Sequence, residues 1–216
     1  METAELANLI KSRRSIRAWQ DKNVPEELLL QAIELATWAP NGGNRQPWYF
    51  YIIINKDVIN AIADATRETA QYVASWPEAT ELGEMAKTMA QRAGAFRSAP
   101  AAIAAAVRKY QSPLDQVLAA REKVDARAAQ IRQGEHIVNS RIQTVSSAIS
   151  HLLLILHQMG LGAVWMTGPL QAKAEIEKIL KVPAEMDLVA FIPVGYPDET
   201  PVRDRKPVSE VCEIVR

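Results

Sequence analysis

Between residues 138 and 159, apolar side chains recur at alternating spacings of four and three: Val138, Ile142, Val145, Ile149, Leu152, Leu156 and Met159. That alternation keeps one stripe of a helix apolar. It predicts a helix about 33 Å long, at a rise of ~1.5 Å per residue. From Ile149 onward, Leu153, Leu154 and Ile155 fill further faces, so the second half must be buried nearly all round. A chain of 216 residues is long enough to build one core around such a helix. Two readings follow: a helix covered by its own chain, or one covered partly by a partner subunit. The all-round apolar pattern favours the second. Gly160 stands where a left-handed cap would end the helix.

Shorter signals surround that helix. Leu6, Leu9 and Ile10 share one face of a helix that reaches about Ser12. Another starts near Pro25, with Glu26 and Glu27 where the helix dipole favours negative charge. Leu28, Leu29, Ile33 and Ala36 form its buried face, and Pro40 ends it. Residues 41–47 are a loop by composition. The aromatic and β-branched run Trp48–Ile54 predicts a strand. Residues 57–97 read as Ala-rich helix interrupted near Pro77 and Gly83, while Ala101–Val107 suits strand or helix about equally. Leu114–Gln133 predicts one amphipathic helix. Val164–Thr167 and Leu188–Val194 predict short strands on either side of a helix at about Ala172–Leu180, and Val211–Val215 is weakly strand-like. Helices alternating with few strands predict an α+β fold, a mixed sheet flanked by helices, in one domain spanning 1–216.

Charge narrows the function. Lys plus Arg and Asp plus Glu both total 25, so the net charge is zero. No global field exists to hold nucleic acid or an anionic membrane, and any anion recognition must be local. Cys212 is the only cysteine, which excludes an intrachain disulfide and a Cys-rich metal site. The acidic opening Met1–Glu5 and the shortness of the apolar run Leu152–Leu156 lead to a cytoplasmic expectation, with no membrane partner. Gly160-Leu161-Gly162 fails as a dinucleotide fingerprint, because Trp165 stands at the third glycine position and a strand follows. His151 and His157 are six residues apart and share no ligand face; with His136 they read as histidines making local hydrogen bonds, and no metal is expected.

Two basic clusters stand out against this neutral background. Arg13, Arg14 and Arg17 surround Ser15 near one end of the chain; Arg203, Arg205 and Lys206 lie between Pro201 and Pro207 near the other. Guanidinium forks with a nearby hydroxyl suit a phosphate dianion. Two solvated surface patches are the competing reading.

Five segments in order resemble the nitroreductase family. Arg13-Arg14-Ser15-Ile16-Arg17 resembles its Arg-Arg-Ser-x-Arg opening, and Ala39–Trp48 resembles its Ala-Pro-Ser-x-x-Asn-x-Gln-Pro-Trp signature. Gly160-Leu161-Gly162 matches the turn after the family's long helix. Ile192–Pro197 and Arg203-x-Arg205-Lys206-Pro207 match its closing segment. The resemblance implies a nitroreductase-like fold that dimerises through the long central helix, with two FMN sites at the subunit boundary. Arg13, Arg14, Ser15 and Arg17 would then line the ribityl–phosphate and pyrimidine side of the flavin, with Arg203 and Arg205 on the same phosphate. Pro40, Asn41, Gly42, Asn44 and Gln46 would approach from the other subunit, and Trp165, Met166, Thr167 and Gly168 would run behind the ring system. Arg17 is the residue nominated to stabilise charge at flavin N1 and O2, the catalytic role left to the protein when the flavin carries the chemistry. The sequence departs from the family at Asn41, where serine is usual, and at Trp165, usually smaller.

The implied activity is transfer of hydride from NADH or NADPH to a small electron-poor acceptor such as a nitroaromatic, quinone or activated alkene, by a ping-pong mechanism. A specialised branch acting on a halogenated or heterocyclic metabolite, and a non-catalytic flavin-binding sensor dimer, are the alternatives. The Tyr, Glu and Lys lid of the deiodinase branch is not identifiable. A variable lid at about 67–133 is expected to cover the flavin, with Phe96 and Tyr110 as candidate stacking residues or ordinary packing aromatics.

Overall fold

The computed structural model describes residues 2–216 and, for residues 134–138, the backbone alone. Eight helices are described: α1 (Thr3–Ser12), α2 (Glu26–Ala36), α3 (Lys56–Ala74), α4 (Glu84–Arg92), α5 (Pro113–Arg121), α6 (Ala126–Val138), α7 (Ser140–Gln158) and α8 (Lys173–Ile179). Four strands, β1 (Trp48–Ile53), β2 (Ala101–Arg108), β3 (Gly162–Ala163) and β4 (Met186–Gly195), pair antiparallel in the order β1-β2-β4-β3. The fold is α+β, as expected. Its mixed character is confined to one parallel bridge, Ser15 with Ala163, at the β3 edge.

The Ala-rich segment 101–108 is a strand because it lies at the centre of the sheet and is covered on both faces. Ala101, Ile103 and Ala105 pack with Leu29, Val145, Ile149, Leu152 and Leu156 of α2 and α7. Ala102 and Ala104 point the other way, against Ile59, Ile62 and Ile176 of α3 and α8. With both faces buried there is no polar alternation to read, which is why helix and strand were indistinguishable in sequence.

Three expectations about extent are corrected. The long helix is α7, 19 residues, about 28 Å at ~1.5 Å per residue. It starts after Asn139, which leaves helical geometry (φ −23°, ψ 90°) and accepts a hydrogen bond from the Ile142 N–H. A side chain that caps a new helix competes with continuation of the old one. The side chains of Val138, the first residue of the seam, and of His136 lie outside the described residues. The helix expected over Leu114–Gln133 is likewise divided, into α5 and α6. Asp125 caps α6 by accepting from the Arg127 and Ala128 N–H groups, and Ser112 and Asp115 close a capping box on α5.

The strand expected at Val164–Thr167 is instead Gly162–Ala163, with contact resumed at the Met166–Phe191 bridge. Opposite Val164 stands Pro193, whose carbonyl accepts from the Val164 N–H at 3.4 Å but which has no N–H to return. Val211–Val215 is not a strand either: no described strand pairs with it, and Val211, Ile214 and Val215 are exposed. Gly160 does end α7 in the left-handed region (φ 78°), and the Leu161 N–H closes back on the Leu156 carbonyl at 2.8 Å. Among the described residues, no helix is long and apolar enough to cross a membrane.

Candidate functional site

At the end of α1 the chain turns extended at Arg13 (φ −58°, ψ 128°) and adds itself to the sheet edge. The Ile16 N–H donates to the Ala163 carbonyl at 3.2 Å, and the Trp19 indole donates to the Gly162 carbonyl at 2.8 Å. Ile16 turns into the core, so the alternate residues Ser15 and Arg17 face outward. Gly162 permits this approach, since a Cβ there would lie 2.6 Å from Ile16 Cγ1. Gly195 does the same at the end of the neighbouring strand, where a Cβ would meet Pro100 at 2.6 Å and Trp19 at 2.9 Å.

Past β4 the chain is tied back to the same segment. The Gln20 N–H donates to Tyr196 O at 2.9 Å, and the Asp198 N–H to Ala18 O at 3.0 Å. One oxygen of Glu199 accepts from the Arg17 N–H and, at 3.1 Å, from the Ala18 N–H. Sequence reasoning missed Glu199 and Trp19. Neither carries a local signal, because their partners are 181 and 143 residues away along the chain.

These ties bring Arg205 of the C-terminal cluster within electrostatic reach of Arg13. Burial, then the charge of Arg205, then that of Arg14 pull the Arg13 guanidinium below the usual arginine range. Arg205 therefore stands within electrostatic reach of Arg13, from opposite ends of the polypeptide. Among the described residues none of Arg13, Arg14, Arg17, Arg203 or Arg205 has a carboxylate partner. Like charges gathered around the half-buried Arg13 without a counterion favour binding of an anion.

The other nominated residues are distributed as follows. Arg14 turns away from the cationic face. Its Nη1 donates to the carbonyls of Lys11 and, at 2.8 Å, Arg13, capping α1, while its buried Nε has no partner. Behind the segment lies a cavity of about 400 Å³ whose lining includes Arg14, Ile16, His157 and Glu199 but not Arg13, Ser15 or Arg17. Pro40–Gln46 is held by its own bonds: the Gln46 N–H to Asn41 Oδ1 at 3.0 Å and Gln46 Nε2 to Asn44 Oδ1 at 3.1 Å. Asn44 and Gln46 have positive φ, a local strain at this loop, and Gly43 adopts it without cost. Ser147 in mid-α7 donates to Pro40 O at 2.8 Å, about 15 Å along the helix from His157 at ~1.5 Å per residue. One chain thus does not bring this loop against Arg13. Met166 pairs with Phe191 through bonds of 2.9 and 3.0 Å, Thr167 and Gly168 are exposed beyond it, and the Trp165 indole nitrogen is buried without a partner. Phe96 packs on Phe191, with ring centroids 4.7 Å apart, as an ordinary core aromatic.

His157 reports on the cationic face. Its Nε2 lies 2.8 Å from Ser12 Oγ, and burial, then the charges of Arg13 and Arg14, hold the imidazole below the ordinary histidine range. With its folded value depressed, the stability contributed by neutral His157 is complete above the unfolded histidine pKa. It is lost as pH falls through the folded value. A phosphate dianion on Arg13 offsets the neighbouring charge and moves this titration upward. NMR titration of the His157 ring with and without inorganic phosphate checks the shift, and a midpoint that stays put removes Arg13 from the anion's ligands.

The sheet edge thus gathers arginines that lack a carboxylate partner among the described residues. The model of the nitroreductase family matches residues 10–196. A Methanothermobacter thermautotrophicus protein, provisionally named an NADH dehydrogenase/NAD(P)H nitroreductase, is 30% identical over 200 residues, covering 91% of this chain and 80% of its own. The iodotyrosine deiodinase of Thermotoga neapolitana is 27% identical over 95% of each chain. The crystal structure of a BluB-like flavoprotein from Clostridium difficile 630 superposes over 100% of both chains with a TM-score of 0.83 at 26% identity. The chain belongs to the nitroreductase family, and with it to the oxidoreductases.

Proposed function

We propose that the protein is an FMN-dependent oxidoreductase working as a homodimer. The observation that carries this reading is that Arg205 lies within electrostatic reach of Arg13, with no carboxylate partner for either among the described residues. A flavin mononucleotide ends in a phosphate dianion of the kind such a donor set fits. The family membership, and flavoproteins among its structural relatives, support the same ligand.

The chemistry supplied by bound FMN is acceptance of hydride from NADH or NADPH and its delivery, by a ping-pong cycle, to an electron-poor nitroaromatic, quinone or activated alkene. In this reading Arg13, Ser15, Arg203 and Arg205 hold the phosphate. Arg14 acts behind them by fixing the end of α1. Arg17, exposed on the outward side, holds its charge at flavin N1 and O2, where negative charge develops. Met166 is bonded to β4, which leaves the Thr167 and Gly168 N–H groups beyond it to reach N5. Pro40, Asn41, Gly42, Asn44 and Gln46 come from the second subunit, which fits their distance from Arg13 within one chain. The Trp165 indole packs behind the ring system. Residues 67–133 cover the site.

The homodimer is supported by apolar surface that one chain leaves open. Leu153, Leu154 and Ile155 of α7 are only half-buried. Trp38 is 82% exposed, and Leu6, Ile10 and Ile142 are exposed as well. A second reading, a specialised activity on a halogenated or heterocyclic metabolite, draws on the iodotyrosine deiodinase relative. The test is direct. The purified protein is expected to be yellow, to release FMN on denaturation, to be bleached by NADH or NADPH and to run at twice the monomer mass by light scattering. A colourless protein that takes up no added FMN overturns the proposal. Turnover of 3-iodotyrosine, with none of a quinone or nitroaromatic panel, favours the second reading.

A further inference from the structure

A second unpaired cationic site lies at the other end of the sheet. A pocket of about 350 Å³ opens where β1 begins and β2 ends, lined by Arg45, Gln46, Pro47, Arg108, Tyr110 and Gln111. Trp48 pairs with Val107, and the Arg108 N–H donates to the Pro47 carbonyl at 2.8 Å. Arg108 therefore enters from the end of β2, and Arg45 from the loop three residues before β1, beside it. Tyr110 also lines the pocket, its ring centroid 4.9 Å from the Arg45 guanidinium carbon. Burial pushes the Tyr110 phenol up, but hydrogen bonds with Arg45 and Ser140 and the charges of Arg45 and Arg141 outweigh it and bring it below the usual tyrosine range.

Two nearby carboxylates, Asp187 and Asp115, have partners of their own. Asp187 is shared by Lys173 at 3.2 Å and by Lys109 and Arg141 at 3.5 Å each. Asp115 accepts from the Ser112 N–H at 2.6 Å in the α5 capping box and, without forming an ion pair, lies within electrostatic reach of Arg45. Arg45 and Arg108 have no ion-pair partner among the described residues. The buried Nη1 of Arg141, 3.5 Å from Asp187, completes no hydrogen bond. Ordinary solvated arginines are spread over convex surface. These converge on one concavity with a hydroxyl donor.

We propose that Arg45, Arg108 and Tyr110 form a second anion site that takes a phosphate group of a small molecule. Two planar forks lining one concavity beside a phenol suit phosphate oxygens. Gln46 belongs both to this pocket and to the loop assigned to the partner's flavin. On the flavin reading, the site therefore adjoins the redox centre and receives the additional phosphate that distinguishes NADPH from NADH. The site itself stands without that reading; its role in donor choice rests on it.

The experiment has two arms. Calorimetry with inorganic pyrophosphate compares the FMN-loaded protein with its Arg108→Gln and Tyr110→Phe variants. Should the protein take no FMN, the comparison is made on the unloaded chain in an Arg205→Gln background. Affinity is expected to fall about tenfold in Arg108→Gln, as loss of one charged donor pair implies, and by less in Tyr110→Phe. Equal pyrophosphate binding by wild type and Arg108→Gln overturns the site, whatever the protein's colour. In the second arm, a rise of KM for NADPH with that for NADH unchanged in Arg108→Gln assigns the phosphate to the dinucleotide. Unchanged KM for both, with pyrophosphate binding lost, leaves a site for free phosphate compounds and overturns the role in donor choice.

Discussion

Arg205→Gln is expected to weaken FMN binding by about tenfold to a hundredfold, the loss that one or two hydrogen bonds to a charged group imply. It should leave the fold intact, because the substitution also removes a like charge from beside Arg13. Binding and stability therefore move in opposite senses: affinity falls, while thermal stability of the unloaded protein stays level or rises slightly. A merely structural arginine would lower both. Arg67→Gln, whose partner Asp64 lies on the far helix α3, serves as the control and should bind FMN like the wild type. Titration of FMN fluorescence quenching, paired with thermal melts of the unloaded variants, reads both quantities. Equal FMN affinity for Arg205→Gln and wild type would remove the C-terminal cluster from the cofactor site.

Gly162→Ala should damage stability and cofactor binding together. The new methyl carbon would stand 2.6 Å, 2.8 Å and 2.9 Å from Ile16 Cγ1, Cβ and Cγ2. Ile16 is buried and branched, so it cannot swing aside as the end of a lysine could. Overpacking of this kind costs about 1–3 kcal/mol, and at this chain length each kcal/mol lowers Tm by about 2–4 °C. The strain falls where the N-terminal segment joins β3, on the Ile16 N–H bond to Ala163 and the Trp19 bond to Gly162. Loosening that seam displaces Ser15 and Arg17 and weakens FMN binding as well. Adding Ile16→Ala makes room for the methyl group, so the double variant should be more stable than the two single losses summed. An unchanged melt and unchanged FMN affinity in Gly162→Ala would show that the segment does not depend on this contact.

Local and periodic features were legible in the chain alone. The buried stripe Val145, Ile149, Leu152 and Leu156 was visible in its spacing, β1 in its run of aromatic and β-branched residues, and the left-handed turn in Gly160. The family was readable from five ordered motifs. Helix limits were less so. Asn139 and Asp125 divide what periodicity joins, since a capping side chain acts through one or two hydrogen bonds that leave the apolar pattern unchanged. β2 was ambiguous because a strand buried on both faces has lost the alternation that marks strands.

The site divides along the same line. Sequence by itself determined which residues could neutralise an anion: Arg13, Arg17, Arg203 and Arg205 are the right donors in any fold, because guanidinium chemistry travels with the residue. Only the tertiary structure decided that Arg205 comes within electrostatic reach of Arg13, that Arg14 turns back onto α1, that Glu199 clamps the two ends of the chain together, and that Arg45 and Arg108 share one pocket. The Arg14 turn is local to residues 11–14, but the others depend on strand pairing and packing between residues far apart in the chain. Such contacts are set by the packing of whole elements, and no local stretch of sequence encodes them.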